Sequence, residues 1–207
     1  MARRYRYEYR MRKKARERAK EERLANQTDR ERELRETLGW IIYILIVVCA
    51  TYLIVTYVGQ RTKVSGDSMQ ATLQDGDNLI VDKISYRFRD PKRFEIIVFP
   101  YRYADDTYYI KRIIGLPGET VQIIDGYVYI NGEQLDENYG LEVMNNAGNA
   151  AEPITLGKDE YFVLGDNRNR SADSRESSVG VLHREELIGR AWVRIWPLKS
   201  IGVISHD

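Results

Sequence analysis

Apolar positions follow two different patterns along this chain. From Thr37 to Val58 the run TLGWIIYILIVVCATYLIVTYV holds no charged residue in 22 positions. As a helix, at 1.5 Å per residue, it reaches roughly 30 Å, the depth of a bilayer's hydrocarbon core. Trp40, Tyr43, Tyr52 and Tyr57 lie toward its ends, as interfacial aromatics do. A buried globular helix is rarely apolar and uncharged over such a length. A removable signal peptide has a shorter apolar core and a brief basic lead-in, whereas 36 residues precede this span. The segment reads as an uncleaved signal anchor.

Beyond Val58 the pattern becomes that of β-structure. NLIVDKISYRF, EIIVFPY, YYIKRIIG, VQIIDGYVYING and YFVLG are short runs rich in Val, Ile, Tyr and Phe. Asp75-Gly76, Pro117-Gly118, Asp125-Gly126 and Asn131-Gly132 punctuate them with turns. Thr120 to Leu135 predicts a three-stranded meander with two tight Xaa-Gly turns. Only residues 183–189, HREELIG, predict a short helix. Residues 138–157, polar and rich in Asn and Gly, predict an excursion from a single, mostly β domain of about 150 residues.

Charge turns these patterns into a topology. Residues 1–36 hold fourteen Lys/Arg against eight Asp/Glu, while residues 59–207 hold eighteen against twenty-three. The basic excess ahead of the span predicts a cytoplasmic arm (1–36), a transmembrane anchor (37–58) and an extracytoplasmic domain (59–207). The arm's Arg, Lys, Glu and Ala favour helix, but no continuous apolar stripe marks a coiled-coil seam. A solvated or partly disordered arm is the expected reading. Contact with anionic lipid or ribosomal RNA is the alternative, and composition does not separate them.

Composition also narrows the chemistry. The single cysteine, Cys49, falls inside the span, so the outer domain has no disulfide and no thiol nucleophile. His183 and His206 are too few for a zinc site without carboxylate help. No metal and no cofactor are expected.

Three segments carry candidate chemistry. In Val64-Ser65-Gly66-Asp67-Ser68-Met69-Gln70-Ala71-Thr72-Leu73, Gly66 gives backbone freedom beside Ser68, and Met69 and Leu73 offer apolar surface. Taken alone this segment is a weak signal and reads as a plain turn. In Tyr108-Tyr109-Ile110-Lys111-Arg112-Ile113-Ile114-Gly115-Leu116-Pro117-Gly118-Glu119, strict alternation puts Tyr109, Lys111 and Ile113 on one face. Burial there would lower the lysine pKa and leave an amine able to act as a base. The alternative is an edge lysine whose head reaches water. The third segment, Gly165 to Arg175 (GDNRNRSADSR), is mostly polar. It reads as a solvated loop or as a scaffold in which Asp173 and Arg175 pair beside Ser171.

In this order the three segments resemble the bacterial type I signal peptidases. The match runs through SGDSM-x-x-TL, YYIKRIIGLPGE and GDNR-x-x-SADSR, and with the anchor it spans roughly residues 37–200. The resemblance implies a mainly β fold, a signal-peptidase-like β-sheet catalytic domain with one N-terminal transmembrane helix. It implies Ser68 as nucleophile, Lys111 as general base, and Ser171 hydrogen-bonding the lysine amine. Asp173 with Arg175 and Arg112 with Asp166 would form structural ion pairs, and the Ser68 N–H would donate to the oxyanion. Val64, Met69, Leu73, Tyr109 and Ile110 would line shallow pockets for Ala-x-Ala sites, with the substrate added as a strand. The implied partners are secretory preproteins, membrane lipid and a nearby export translocon.

Some positions depart from the family's pattern. Gly66 stands where some members carry a serine that supplies a second oxyanion donor, although the shorter Gram-positive forms also have glycine there. Ala71 replaces the usual proline, Glu119 replaces the commoner aspartate, and the run ESSVG lengthens the spacing after Arg175. A catalytically silent tethered domain would have no reason to keep both Ser68 and Lys111. A self-cleaving repressor-type Ser/Lys protease would lack the anchor, and residues 1–36 show no helix-turn-helix, so no nucleic-acid partner is expected. His183 as the base of a Ser-His pair is disfavoured because HREE reads as a surface helix start.

Overall fold

A computed structural model describes residues 2–53 and 59–206. The chain divides into two compact units, one on each side of the Leu53–Ile54 bond. The first is a single helix, α1 (Ala2–Leu53). At 1.5 Å per residue its 52 residues extend about 78 Å. The basic arm is therefore helical rather than disordered, as its propensities favour. An exposed Arg32–Glu36 pair at 3.3 Å lies four residues apart along one face. Arg32–Leu53 is long and apolar enough to cross a membrane, and none of it is buried within the protein. Residues 54–58 of the expected span lie outside the described residues.

The second unit is β-rich. Its strands are β1 (Gly59–Lys63), β2 (Asn78–Asp82), β3 (Ile96–Pro100), β4 (Tyr108–Gly115), β5 (Thr120–Ile124) and β6 (Tyr127–Ile130). They continue as β7 (Glu133–Gln134), β8 (Ile154–Thr155), β9 (Glu160–Leu164), β10 (Leu182–His183), β11 (Gly189–Trp196) and β12 (Gly202–Val203). One antiparallel sheet runs β1-β2-β11-β3-β4-β9-β10, with β12 on β11, and a smaller one runs β7-β6-β5-β8. The predicted meander forms β5, β6 and β7. Asp125 and Gly126, and again Asn131 and Gly132, all have positive φ, the geometry that two-residue hairpin turns require.

The large sheet is covered on both faces. In β3, Ile96 and Val98 enter one apolar cluster with Met69, Leu79 and Ile110, while Ile97 and Phe99 enter another with Ile113 and Val163. Each such side chain contributes about 2 kcal/mol on burial, so β3 is fixed from both sides and holds β4 in register. β3 pairs with β4 over Tyr108 to Arg112, but β9 joins β4 only from Arg112 onward. The β9-facing edge of Tyr108–Lys111 has no strand partner among the described residues.

Two expectations change. The run NLIVDKISYRF ends as a strand at Asp82, whose carboxylate accepts the N–H groups of Ile84 and Ser85 and starts a turn. HREELIG forms only a single 3-10 turn, Arg184–Glu186, between β10 and β11. Glu186 accepts the His183 N–H and pairs with Arg102, which fixes the turn, and Gly189 already belongs to β11.

Candidate active site

The site lies where the loop after β1, the open edge of β4 and the loop after β9 meet. A cleft of about 310 Å³ is lined by Val64, Ser68, Met69, Tyr109, Ile110 and Lys111, with Arg170 and Ala172 on the far wall. The Lys111 side chain is only 3% exposed, and its Nζ donates to Ser68 Oγ at 2.9 Å and to the Ile110 carbonyl at 3.0 Å. Burial lowers the lysine pKa from 10.5 to about 8, against the opposing pull of Asp173, Asp166 and Glu176. The Tyr109 ring centroid lies 5.0 Å from Nζ and stacks at 4.6 Å on Tyr101, walling one side of the amine. The edge of β4 is open here, but the lysine head is buried in the cleft and does not reach bulk water.

Ser68 is held by hydrogen bonds from distant chain. Asn167 N–H donates to the Ser68 carbonyl at 3.0 Å, and Asn167 Nδ2 donates to the Asp67 carbonyl at 3.1 Å. On the other side Gly66, at φ +90°, donates its N–H to Asp75 Oδ1 at 2.9 Å.

Beneath the cleft lie two buried bidentate pairs. Arg112 meets Asp166 through Nε and Nη2 at 2.8 and 2.7 Å, with both side chains at most 1% exposed. Thr72 Oγ1 donates to the same carboxylate at 2.5 Å, and the Tyr139 ring lies 3.7 Å from the guanidinium. Arg175 meets Asp173 at 2.8 and 2.9 Å, and Asp173 also accepts the Gly165 N–H at 3.1 Å.

Several placements differ from the sequence expectation. Ser171 Oγ is buried beside the site without a hydrogen-bond partner, and Lys111 donates to the Ile110 carbonyl instead. Leu73 does not line the cleft. The turn after Ser68 brings the Leu73 N–H onto the Met69 carbonyl at 2.8 Å and sends the side chain into the core. His183 is exposed on β10 and lines a separate hollow with Tyr86 and Asp159. His206 accepts the Ile96 N–H on Nδ1 at 3.2 Å, a role in the core.

Other residues of the site have no role assigned from the sequence. Arg168 forms a bidentate pair with Glu137 at 2.6 Å for both contacts and donates Nε to the Gly165 carbonyl. A Cβ on Gly165 would overlap Ser171 Oγ and come within 2.5 Å of the Ser68 carbonyl. The excursion at 138–157 is a buttress: the Asn146 carbonyl accepts from Arg175 Nη1, and Asn149 N–H donates to the Arg175 carbonyl.

The chain is similar to proteins that are already known. The family described as "Signal peptidase, peptidase S26" matches residues 37–196. A probable signal peptidase I-2 of Synechocystis sp. is 40% identical over 195 residues, 90% of this chain and 87% of that protein. Signal peptidase I of Leptolyngbya laminosa is 43% identical over 157 residues, 72% and 75% of the two chains. Signal peptidase I P of Bacillus subtilis subsp. natto is 33% identical over 178 residues, 83% and 95%. A solved signal peptidase I from Enterococcus faecalis is 37% identical and covers 49% of this chain and 97% of that one, at a TM-score of 0.42. With a family match running from the apolar span through β11, the chain belongs to the signal peptidase family, peptidase S26.

Proposed function

We propose that this protein is a membrane-anchored serine endopeptidase that removes signal peptides from exported preproteins, using Ser68 as nucleophile and Lys111 as general base. The observation that carries the reading is the 2.9 Å contact between Nζ and Oγ at a lysine buried enough to titrate near 8. About a tenth of such amines are neutral at pH 7, against a few in ten thousand for an exposed lysine. With the amine neutral the contact reverses, and the Ser68 hydroxyl donates to Nζ.

The steps follow from that geometry. Lys111 takes the Ser68 proton as Oγ bonds to the scissile carbonyl carbon. The Ser68 N–H donates to the resulting oxyanion, a contact worth about 3 kcal/mol in comparable sites. Gly66 N–H is committed to Asp75 and is not the second donor. The C–N bond breaks as the lysine ammonium returns its proton to the leaving amine. Water, deprotonated by the same amine, then releases the acyl group and regenerates the hydroxyl.

The open edge of β4 suits a substrate bound as an added strand, between Tyr108–Lys111 and the chain at Val64–Ser68. Val64, Met69, Tyr109 and Ile110 leave shallow apolar space, which favours small residues of the Ala-x-Ala type. The place of Ser171 in the SADSR motif supports a role in orienting the amine. The basic residues before the span support a cytoplasmic arm and an extracytoplasmic catalytic domain beside membrane lipid and the export translocon. Protease added to intact spheroplasts should digest the outer domain and spare the arm; the opposite pattern would refute this orientation. The direct test of function is incubation of the purified protein with a preprotein. Native protein should release the signal peptide and Ser68→Ala should not. Equal cleavage by both would remove Ser68 from the mechanism.

A further inference from the structure

Of the twelve arginines between residues 59 and 206, eleven have a partner within the protein. Arg170 is the exception among the described residues, and it stands on the wall of the catalytic cleft. The cleft is lined by three cations, Lys63, Lys111 and Arg170, and by one carboxylate, Asp67. Asp67 Oδ1 already accepts from Gln70 Nε2 at 2.7 Å.

The backbone under Arg170 is firmly placed. It closes the 3-10 turn Arg168–Arg170, donating its N–H to the Asn167 carbonyl at 3.0 Å. Asn167 in turn donates to the Ser68 carbonyl, and Arg168 is locked to Glu137. The origin of the Arg170 side chain is therefore set relative to the nucleophile, while its guanidinium stays uncommitted.

We propose that Arg170 is a specificity-determining residue that receives an Asp or Glu side chain of the preprotein close to the scissile bond. This rests on the function proposed above and adds a charged criterion to pockets that otherwise select only for small size. A guanidinium suits the role because its planar fork matches both oxygens of a carboxylate. A substrate strand lying in the cleft shields the pair from solvent and strengthens it beyond an open surface contact.

The test uses the purified full chain and peptides spanning one cleavage site. A neutral peptide is the reference, and Asp, Asn or Lys is placed in turn at each position flanking the bond. The native protein should favour Asp over Asn at one position by about fivefold in kcat/KM, the range of a well-placed but partly exposed pair. Raising the salt concentration should shrink that ratio. Arg170→Gln should bring it near unity, and Arg170→Glu should favour Lys at the same position. Because each ratio is taken within one variant, a general loss of activity does not imitate the effect. Equal kcat/KM for Asp and Asn at every position, or a preference that persists in Arg170→Gln, overturns the proposal. If native protein fails to cut the neutral peptide, or Ser68→Ala still cuts it, the underlying function fails and this inference falls with it.

Discussion

The N–H of Asn167 donates to the carbonyl of Ser68 at 3.0 Å, so the loop after β9 fixes the loop that carries Ser68. Gly165, two residues earlier, packs against that same carbonyl and against Ser171 with no room for a methyl group. One of the two loops must shift in Gly165→Ala. A displacement near 1 Å at a reacting group lowers turnover by about a hundredfold. We expect kcat for preprotein cleavage to fall by roughly that factor, with the fold retained by circular dichroism. Native-like kcat would show that the loops are not coupled in this way.

The pH profile follows from Lys111. In the proposed mechanism only the neutral amine accepts the serine proton, and burial brings the lysine pKa down to about 8. Below that pH, kcat/KM should fall about tenfold per unit, with a midpoint near 8 in the free enzyme. A midpoint near 10.5 would mean that Lys111 is solvated, and a flat profile down to pH 5 would mean that another group is the base.

The same shift has a consequence for stability. The unfolded chain holds the lysine proton up to about pH 10.5, whereas the folded chain releases it near 8. Between those values the unfolded state binds more protons, so native stability rises with pH across this window. Below about pH 8 the buried ammonium costs up to about 3 kcal/mol. Lys111→Met should therefore raise the unfolding midpoint at pH 7, with the gain fading toward pH 10.5, while cleavage is lost. A lower midpoint at pH 7 would contradict this sign.

Arg112 and Asp166 give a contrast in scale with the exposed Arg32–Glu36 pair. The first pair is at most 1% exposed, while the second is 81% and 66% exposed. Asp166→Ala leaves a guanidinium buried without its anion and frees Thr72 as well, which should cost about 3–5 kcal/mol. Glu36→Ala should cost under about 0.5 kcal/mol. Denaturant midpoints in detergent measure both, and equal effects would refute the assignment of Asp166 as a structural anchor.

The sequence carries local chemistry well and long-range closure poorly. β3 and β4 are legible because every position from Ile96 to Phe99 and from Ile110 to Gly115 is buried, and burial favours the Val, Ile and Phe that surround Lys111 and Arg112. β1, GQRTK, is an edge strand that needs no apolar face. β11 lies between β2 and β3, yet shifts in register on either side of Val193 and Arg194 break its alternation. The Ser68–Lys111 contact and the pairs Arg112–Asp166 and Asp173–Arg175 are legible through the ordered motifs. Arg168–Glu137 joins residues 31 positions apart, and no spacing rule connects them. Residues 138–157 look like an idle excursion until Asn146 and Asn149 are seen to hold Arg175.

Lys111→Arg tests the central claim most directly. Arginine keeps the positive charge and any ion-pairing role, but it does not deprotonate in a protein and so offers no base. The variant, shown to be folded and inserted, should cleave preprotein no faster than Lys111→Ala, whereas Ser171→Ala, which removes no reacting atom, should be milder. If Lys111→Arg cleaves at near the native rate, the amine is not the base and the Ser68–Lys111 mechanism fails.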